Sequence, residues 1–170
     1  MITPSITETQ IFTALRAFML LVADCEVIRT PVNRAAMPKG DVIALSPTSN
    51  TPLSTNVATV DGQQQSIKRA SQFVVQVDCY GAGAGDRATT LSTLLRSQFA
   101  CEQLAASGLE IQPLYAGDAH QMPLVNGEDQ YEERWTFDAV LQFNPVLVVV
   151  QQSALSLTVI PKDVDRMFPP

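Results

Sequence analysis

Several groupings of residues in this chain have the right types for chemistry. The single histidine, His120, stands two residues after Asp118, a carboxylate–imidazole pairing suited to a metal ligand pair or a general base. A structural or catalytic metal site draws on three or four such ligands. The sequence supplies no second histidine and no clustered cysteines, so a solvated or backbone-bonded loop histidine is the plainer expectation. Gly81-Ala-Gly83-Ala-Gly85-Asp86-Arg87 follows a strand-like run and opens a helical one, the setting of a phosphate cradle. The dinucleotide pattern needs glycine where Asp86 stands, and a P-loop needs G-K-[ST]. Asp86 also places its own negative charge where a phosphate would sit at the helix N-terminus. A strand-to-helix turn with a carboxylate cap is expected instead.

Nucleophiles fare no better. No G-x-S-x-G frames a serine, and one distant histidine is thin support. Cys79 falls on the inward side of an alternating run and Cys101 at a helix end, where burial is the default. Glu132 and Glu133 are adjacent carboxylates on a strand-like segment. Neighbours on a strand point to opposite faces and cannot share one substrate proton. No catalytic residue, cofactor or metal is therefore expected. A small metal hydrolase built on Asp118 and His120 is the remaining enzymatic alternative.

A composition of 46% hydrophobic and 16% charged residues over 170 positions suits one globular domain, residues 1–170. Eleven basic residues are scattered singly against seventeen acidic ones, for a net charge of −6. Gripping nucleic acid by its phosphates needs basic patches, so tight DNA binding is not expected. The mean hydropathy of +0.09 with so little charge points to apolar surface that partners cover. Cys25, Cys79 and Cys101 are odd in number and lack CxxC spacing, which reads as free thiols in a reducing compartment. The start of the chain has no basic region followed by an apolar run, and the apolar stretches Phe18–Ala23 and Val146–Val150 are far too short for a span. Neither a signal peptide nor membrane attachment is expected, and synthesis is expected in the cytoplasm.

The elements follow from periodicity. Thr7 and Gln10 have the spacing of a capping box, and Ile11, Leu15, Phe18 and Val22 form the stripe of a helix reaching about Asp24. Glu26–Arg29 and Asp41–Leu45 read as strands, while Ser46–Thr59 is open between an exposed loop and an edge hairpin. Ser71–Tyr80 is a strand with Phe73, Val75, Val77 and Cys79 on one face. Asp86 caps a second helix to about Glu102 with Leu91, Leu94, Leu95 and Phe99 in line. Leu109–Tyr115 follows Gly108 as a strand. Tyr131–Asn144 alternates without a break and predicts a long central strand whose start overhangs. Pro145 interrupts the ladder, Val146–Gln151 is a candidate edge beyond it, and a last apolar segment runs Leu155–Ile160. The expectation is an α+β fold: an antiparallel β-sheet with two amphipathic helices packed on one face, and residues 146–170 as a peripheral extension.

With chemistry thin, surface becomes the argument. Tyr131, Glu132, Glu133, Arg134 and Trp135 combine aromatic, acidic and arginine side chains, types enriched at interface anchors, against the plainer reading of core and a solvated strand end. Arg34, Met37 and Pro38, in a proline-bounded loop, are a second candidate patch.

These stretches also carry a resemblance. Val27-Ile28-Arg29 with Asn33-Arg34 and Met37-Pro38, then Phe73–Gly81, Pro113-Leu114-Tyr115-Ala116, Pro123–Trp135 and Leu141-Gln142-Phe143-Asn144-Pro145 resemble phage neck (tail) terminator proteins, with residues 124–135 the most specific block. The resemblance spans residues 27–145. It implies a small α+β subunit without catalytic residues, closing with copies of itself into a ring of about six by heterologous contacts. Such a ring sits on the head-proximal end of the tail tube, stops its growth and meets the head connector. The implied partners are thus the chain itself, the tail tube protein and the connector, with DNA passing through an acidic lumen without specific binding. The implied location is the virion, in its tail or neck. Another neck, tail-completion or head-closure component is the alternative, because fold does not fix role.

Overall fold

The computed structural model describes residues 1–30, 40–122, 124–125, 131–152, 158 and 160. Helix α1 (Glu8–Val22) starts where the sequence places it: the Thr7 amide donates to Gln10 Oε1 at 2.8 Å, and the Gln10 amide returns to Thr7 Oγ1 at 3.4 Å. That reciprocal cap satisfies two of the amides a helix start leaves open. Its buried stripe is Ile11, Phe12, Ala14, Leu15, Phe18 and Met19.

Strand β1 (Glu26–Arg29) pairs parallel with β2 (Val42–Pro52), Val27 opposite Ile43. β3 (Val57–Asp61), β4 (Gln64–Lys68) and β5 (Ser71–Tyr80) follow. Next come α2 (Ala84–Leu95), α3 (Gln98–Ala105), β6 (Ile111–Ala116) and β7 (His120–Gln121). The short strands β8 (Leu124–Val125) and β9 (Tyr131–Glu132) pair with each other, before β10 (Arg134–Phe143) and β11 (Val146–Val150). The main sheet runs β1-β2-β5-β10-β6, with β7 also on β10; a second sheet runs β11-β4-β3.

The α+β class stands, with two corrections. The sheet is not wholly antiparallel, because β1 and β2 run the same way. Residues 30–41 give the chain enough length for the return that a parallel pair requires, and side-chain alternation carries no information about strand direction. There are also three helices among the described residues, not two. The stretch expected as one helix breaks at Arg96, where ψ is 8°, and restarts after Ser97 in extended backbone. Arg96 reaches out of the helix to donate from Nε to the Ala116 carbonyl at 2.7 Å, and the Ser97 hydroxyl donates back to the Leu94 carbonyl at 2.6 Å. The bend lets Ala100 and Leu104 reach the core while Phe99, expected on the stripe, stays partly exposed. The N-cap of α2 is Gly83, at φ 73°, with Asp86 in the first turn. Only glycine adopts that left-handed backbone readily.

The core is one cluster. From the main sheet come Ile43, Leu45, Phe73, Val75, Val77, Cys79, Phe137, Ala139 and Leu141; from the helices come Leu15, Met19, Leu91, Leu95 and Leu104 among others. Register explains the selection: Phe137 lies opposite Val77, Ala139 opposite Val75 and Leu141 opposite Phe73, so the apolar sides of β5 and β10 coincide.

That register does not stop where the main sheet does. Phe143 lies opposite Ser71 in the main sheet, and Val146 lies opposite Lys68 in the second, so no residue is inserted in either strand across the join. The Arg69 amide donates to the Pro145 carbonyl at 3.4 Å within it. β4 and β11 are thus the continuation of β5 and β10. β3 likewise continues β2 after residues 53–56, the Leu53 amide donating to the Ala70 carbonyl at 2.9 Å. The second sheet is an arm formed by the three central strands running on past β1 and β6, which end.

Burial pushes the Cys79 thiol up from its ordinary 9.0 to about 12, desolvation outweighing the opposing pull of Arg87. The unfolded thiol ionises first, so this contribution to stability is intact below about pH 9 and is lost as pH rises towards about 12. Urea unfolding across that range should show Cys79→Ala falling less steeply with pH than the parent protein.

Candidate functional site

At the end of the central pair, Arg134 and Asp78 face each other across β10 and β5. Arg134 Nε and Nη2 both donate to Asp78 Oδ1, at 3.1 and 3.0 Å. Gln76 Nε2 donates to the same carboxylate at 3.0 and 2.9 Å, and the guanidinium lies 5.8 Å from the Tyr80 ring centroid. Asp78 is 3% exposed and the Arg134 side chain 21%, so the pair is largely withdrawn from water. A charge that deep is held only when paired and hydrogen-bonded. Arg134 therefore belongs to the fold of the protomer.

Its neighbours divide. Glu133 is exposed and accepts from Trp135 Nε1 at 3.1 Å; Glu132 is exposed on β9. The Trp135 ring is half-buried over Gly85, where a Cβ would come within 2.9 Å of the indole, so only glycine fits under it. The backbone of Tyr131 pairs opposite Val125. Tyr131, Glu132, Glu133 and Arg134 thus do not form one overhanging strand end: β10 is paired from Arg134 onward, and Tyr131–Glu132 turns off into a separate hairpin. Arg34, Met37 and Pro38 lie outside the described residues, as does the segment Leu155–Ile160 apart from positions 158 and 160.

The sites considered for chemistry are likewise engaged. Asp118 accepts from Arg96 Nη2 at 2.9 Å, and Arg96 stacks 4.7 Å from the Tyr115 ring centroid. His120 is exposed, with Nδ1 3.2 Å from the Asp118 carbonyl oxygen. Among the described residues, no group of three or more His, Cys, Asp or Glu side chains is placed to hold a metal ion. At the glycine turn, Arg87 donates to Asp41 Oδ2 at 3.1 Å and to the carbonyls of Ala82 and Tyr80 at 2.9 and 2.7 Å. The cation ties helix α2 to β2 and β5.

What the arm displays is different in kind. Val57, Val60, Val148 and Val150 are exposed, Val150 at 86%, and every residue of β3 is exposed. A cleft of about 400 Å³ separates the arm from the body, lined by Ile6, Ile11, Phe73 and Phe143 on one side and Ile67 and Leu147 on the other. Sequence reasoning left Ser46–Thr59 undecided and saw β11 only as an edge. The signal it held was the chargeless run Val146–Val150 beyond a proline.

The described part is an α+β body in which the Arg134–Asp78 pair is largely withdrawn from water and strand edges with valines are exposed. A family model described as phage neck terminator protein matches residues 9–165, and the chain belongs to that family. It is thereby a structural protein of the phage neck, a part of the virion. No curated protein matches the chain. No helix among the described residues is long and apolar enough to cross a membrane.

Removing Arg134 strands Asp78 away from water. Arg134→Ala should lower unfolding free energy by about 3 kcal/mol, the low end for breaking a buried pair because the guanidinium is partly exposed. Glu133→Ala should cost under about 1 kcal/mol. Urea titration of the two variants checks the contrast.

Proposed function

We propose that this chain forms a ring of about six copies on the head-proximal end of the phage tail tube, ends tube polymerisation there and joins the tail to the head connector. The observation that carries the reading is the family match over residues 9–165. The geometry adds support, because a subunit that works by contact needs surface and this one leaves strand edges and valines open. On this reading the protein does no catalysis. Residues 1–170 act as one unit, the helices cover one face of the main sheet, and the remaining surfaces meet sibling copies, the tail tube protein and the connector. The net charge of −6 fits a lumen through which DNA slides without being held. Glu132, Glu133 and Tyr131, with Arg34, Met37 and Pro38, remain candidates for contacts between copies.

Deleting the gene from its phage should leave tails that are overlong or unjoined to otherwise filled heads in electron micrographs, and supplying the protein should restore joined particles. Normal tails with heads that leak DNA would instead assign it to head closure.

A further inference from the structure

We infer that the arm strands join copies edge to edge: the outer edge of β11 in one protomer pairs with the outer edge of β3 in the next, making one continuous ring of strands. The inference deepens the ring reading and rests on it.

Backbone direction identifies the free groups. The Gln151 amide donates to the Gln63 carbonyl and the Arg69 amide to the Pro145 carbonyl, so odd-numbered residues of β11 face β4. Backbone groups alternate sides along a strand, which turns those of Val146, Val148 and Val150 outward. Ser5 occupies the first, its amide donating to the Val146 carbonyl at 2.9 Å and its hydroxyl accepting from the Val146 amide at 2.9 Å. Among the described residues nothing pairs with the outward groups of Val148 and Val150, which form the open edge. On the far side, even-numbered residues of β4 face β3, which leaves Ala58 and Val60 facing out.

Soluble proteins blunt such edges with charge, proline or a covering loop. β11 has no charge and no proline, and valines are exposed on both of the arm's edge strands. A second copy is the occupant that resolves both edges. Each chain carries two different open edges, and any other single partner would cover one and leave the other. Head-to-tail pairing covers both in every copy, the heterologous contact that lets a ring close. Charge permits it: Asp61 is the one ionised side chain on β3 and β11 has none, so no like charges meet. β3 and β11 both run antiparallel to β4, hence parallel to each other. Rotation about an axis along the arm preserves that sense, so the joint is a parallel pair.

In a parallel joint, a residue whose backbone faces the partner lies opposite one whose backbone faces away. Val148 should therefore meet residue 57, 59 or 61 of the next copy, according to stagger. In a chain with Cys25→Ser and Cys101→Ser, Val148→Cys is combined in turn with Val57→Cys, Thr59→Cys or Asp61→Cys and oxidised at the concentration where oligomers form. One combination should give a covalent ladder up to the full ring on a non-reducing gel, while each single cysteine gives none. As a second variant, Val148→Pro deletes an outward amide only and should abolish rings while leaving the melting temperature close to the parent's. Rings by electron microscopy with no ladder from any pair, or rings that survive Val148→Pro, overturn the edge joint and leave the ring reading standing. A protein that forms no oligomer alone or on tails overturns both.

Discussion

One register governs this molecule. From Arg134 opposite Tyr80 to Val150 opposite Gln64, two strands stay in step through both sheets with nothing inserted. Because side chains alternate with a period of two, a slip of β10 by one residue against β5 would turn Phe137, Ala139 and Leu141 away from the core that Val75 and Val77 face. The core therefore holds the arm's alignment at a distance, though the arm buries little itself. Pro145 marks the change of sheet without breaking step, since a proline removes a donor but leaves its carbonyl, and that carbonyl accepts from Arg69.

The charged residues serve the same ribbon. Asp78 is compensated by Arg134 from the opposite strand and Gln76 from its own. Arg87 clamps the end of β5 to the start of β2 through Asp41, close to Gly81, where φ is 88° and a side chain would collide with that carboxylate. Arg96 performs a comparable task at β6. Breaking a buried pair costs far more than an exposed pair contributes. Arg134, whose pair is largely withdrawn from water, and Arg87 and Arg96, which reach backbone carbonyls of β5 and β6, thus act as joints within the chain.

Much of this architecture was legible beforehand. The capping box, the face of Phe73, Val75, Val77 and Cys79, and the strand through Phe137 and Leu141 follow from spacing alone, because burial imposes the period. The parallel sense of β1 escaped, since alternation looks the same in either direction. The break at Arg96–Ser97 escaped because a helix stripe continues through it and the cause, a carbonyl at Ala116, is distant in sequence. Arg134 was visible as an interface type, but its partner Asp78 lies 56 residues away and no local pattern announces the pair. The arm was half visible, as a valine run after a proline. What sequence could not supply was that Gln64–Lys68 is its mate.

The long separation between mates has a kinetic side. Every rung of the central ribbon joins residues far apart along the chain, so loop-closure entropy must be met before any rung forms. As the chain leaves the ribosome, the strand through Phe73 and Cys79 can pair with β2, made before it, but its other edge waits for β10. Helix α1 and its neighbours can gather early, but the main sheet cannot complete until β10 has emerged between β5 and β6. Until then one edge of β5 and one of β4 stay open, and such unpaired edges are where a growing chain meets wrong partners.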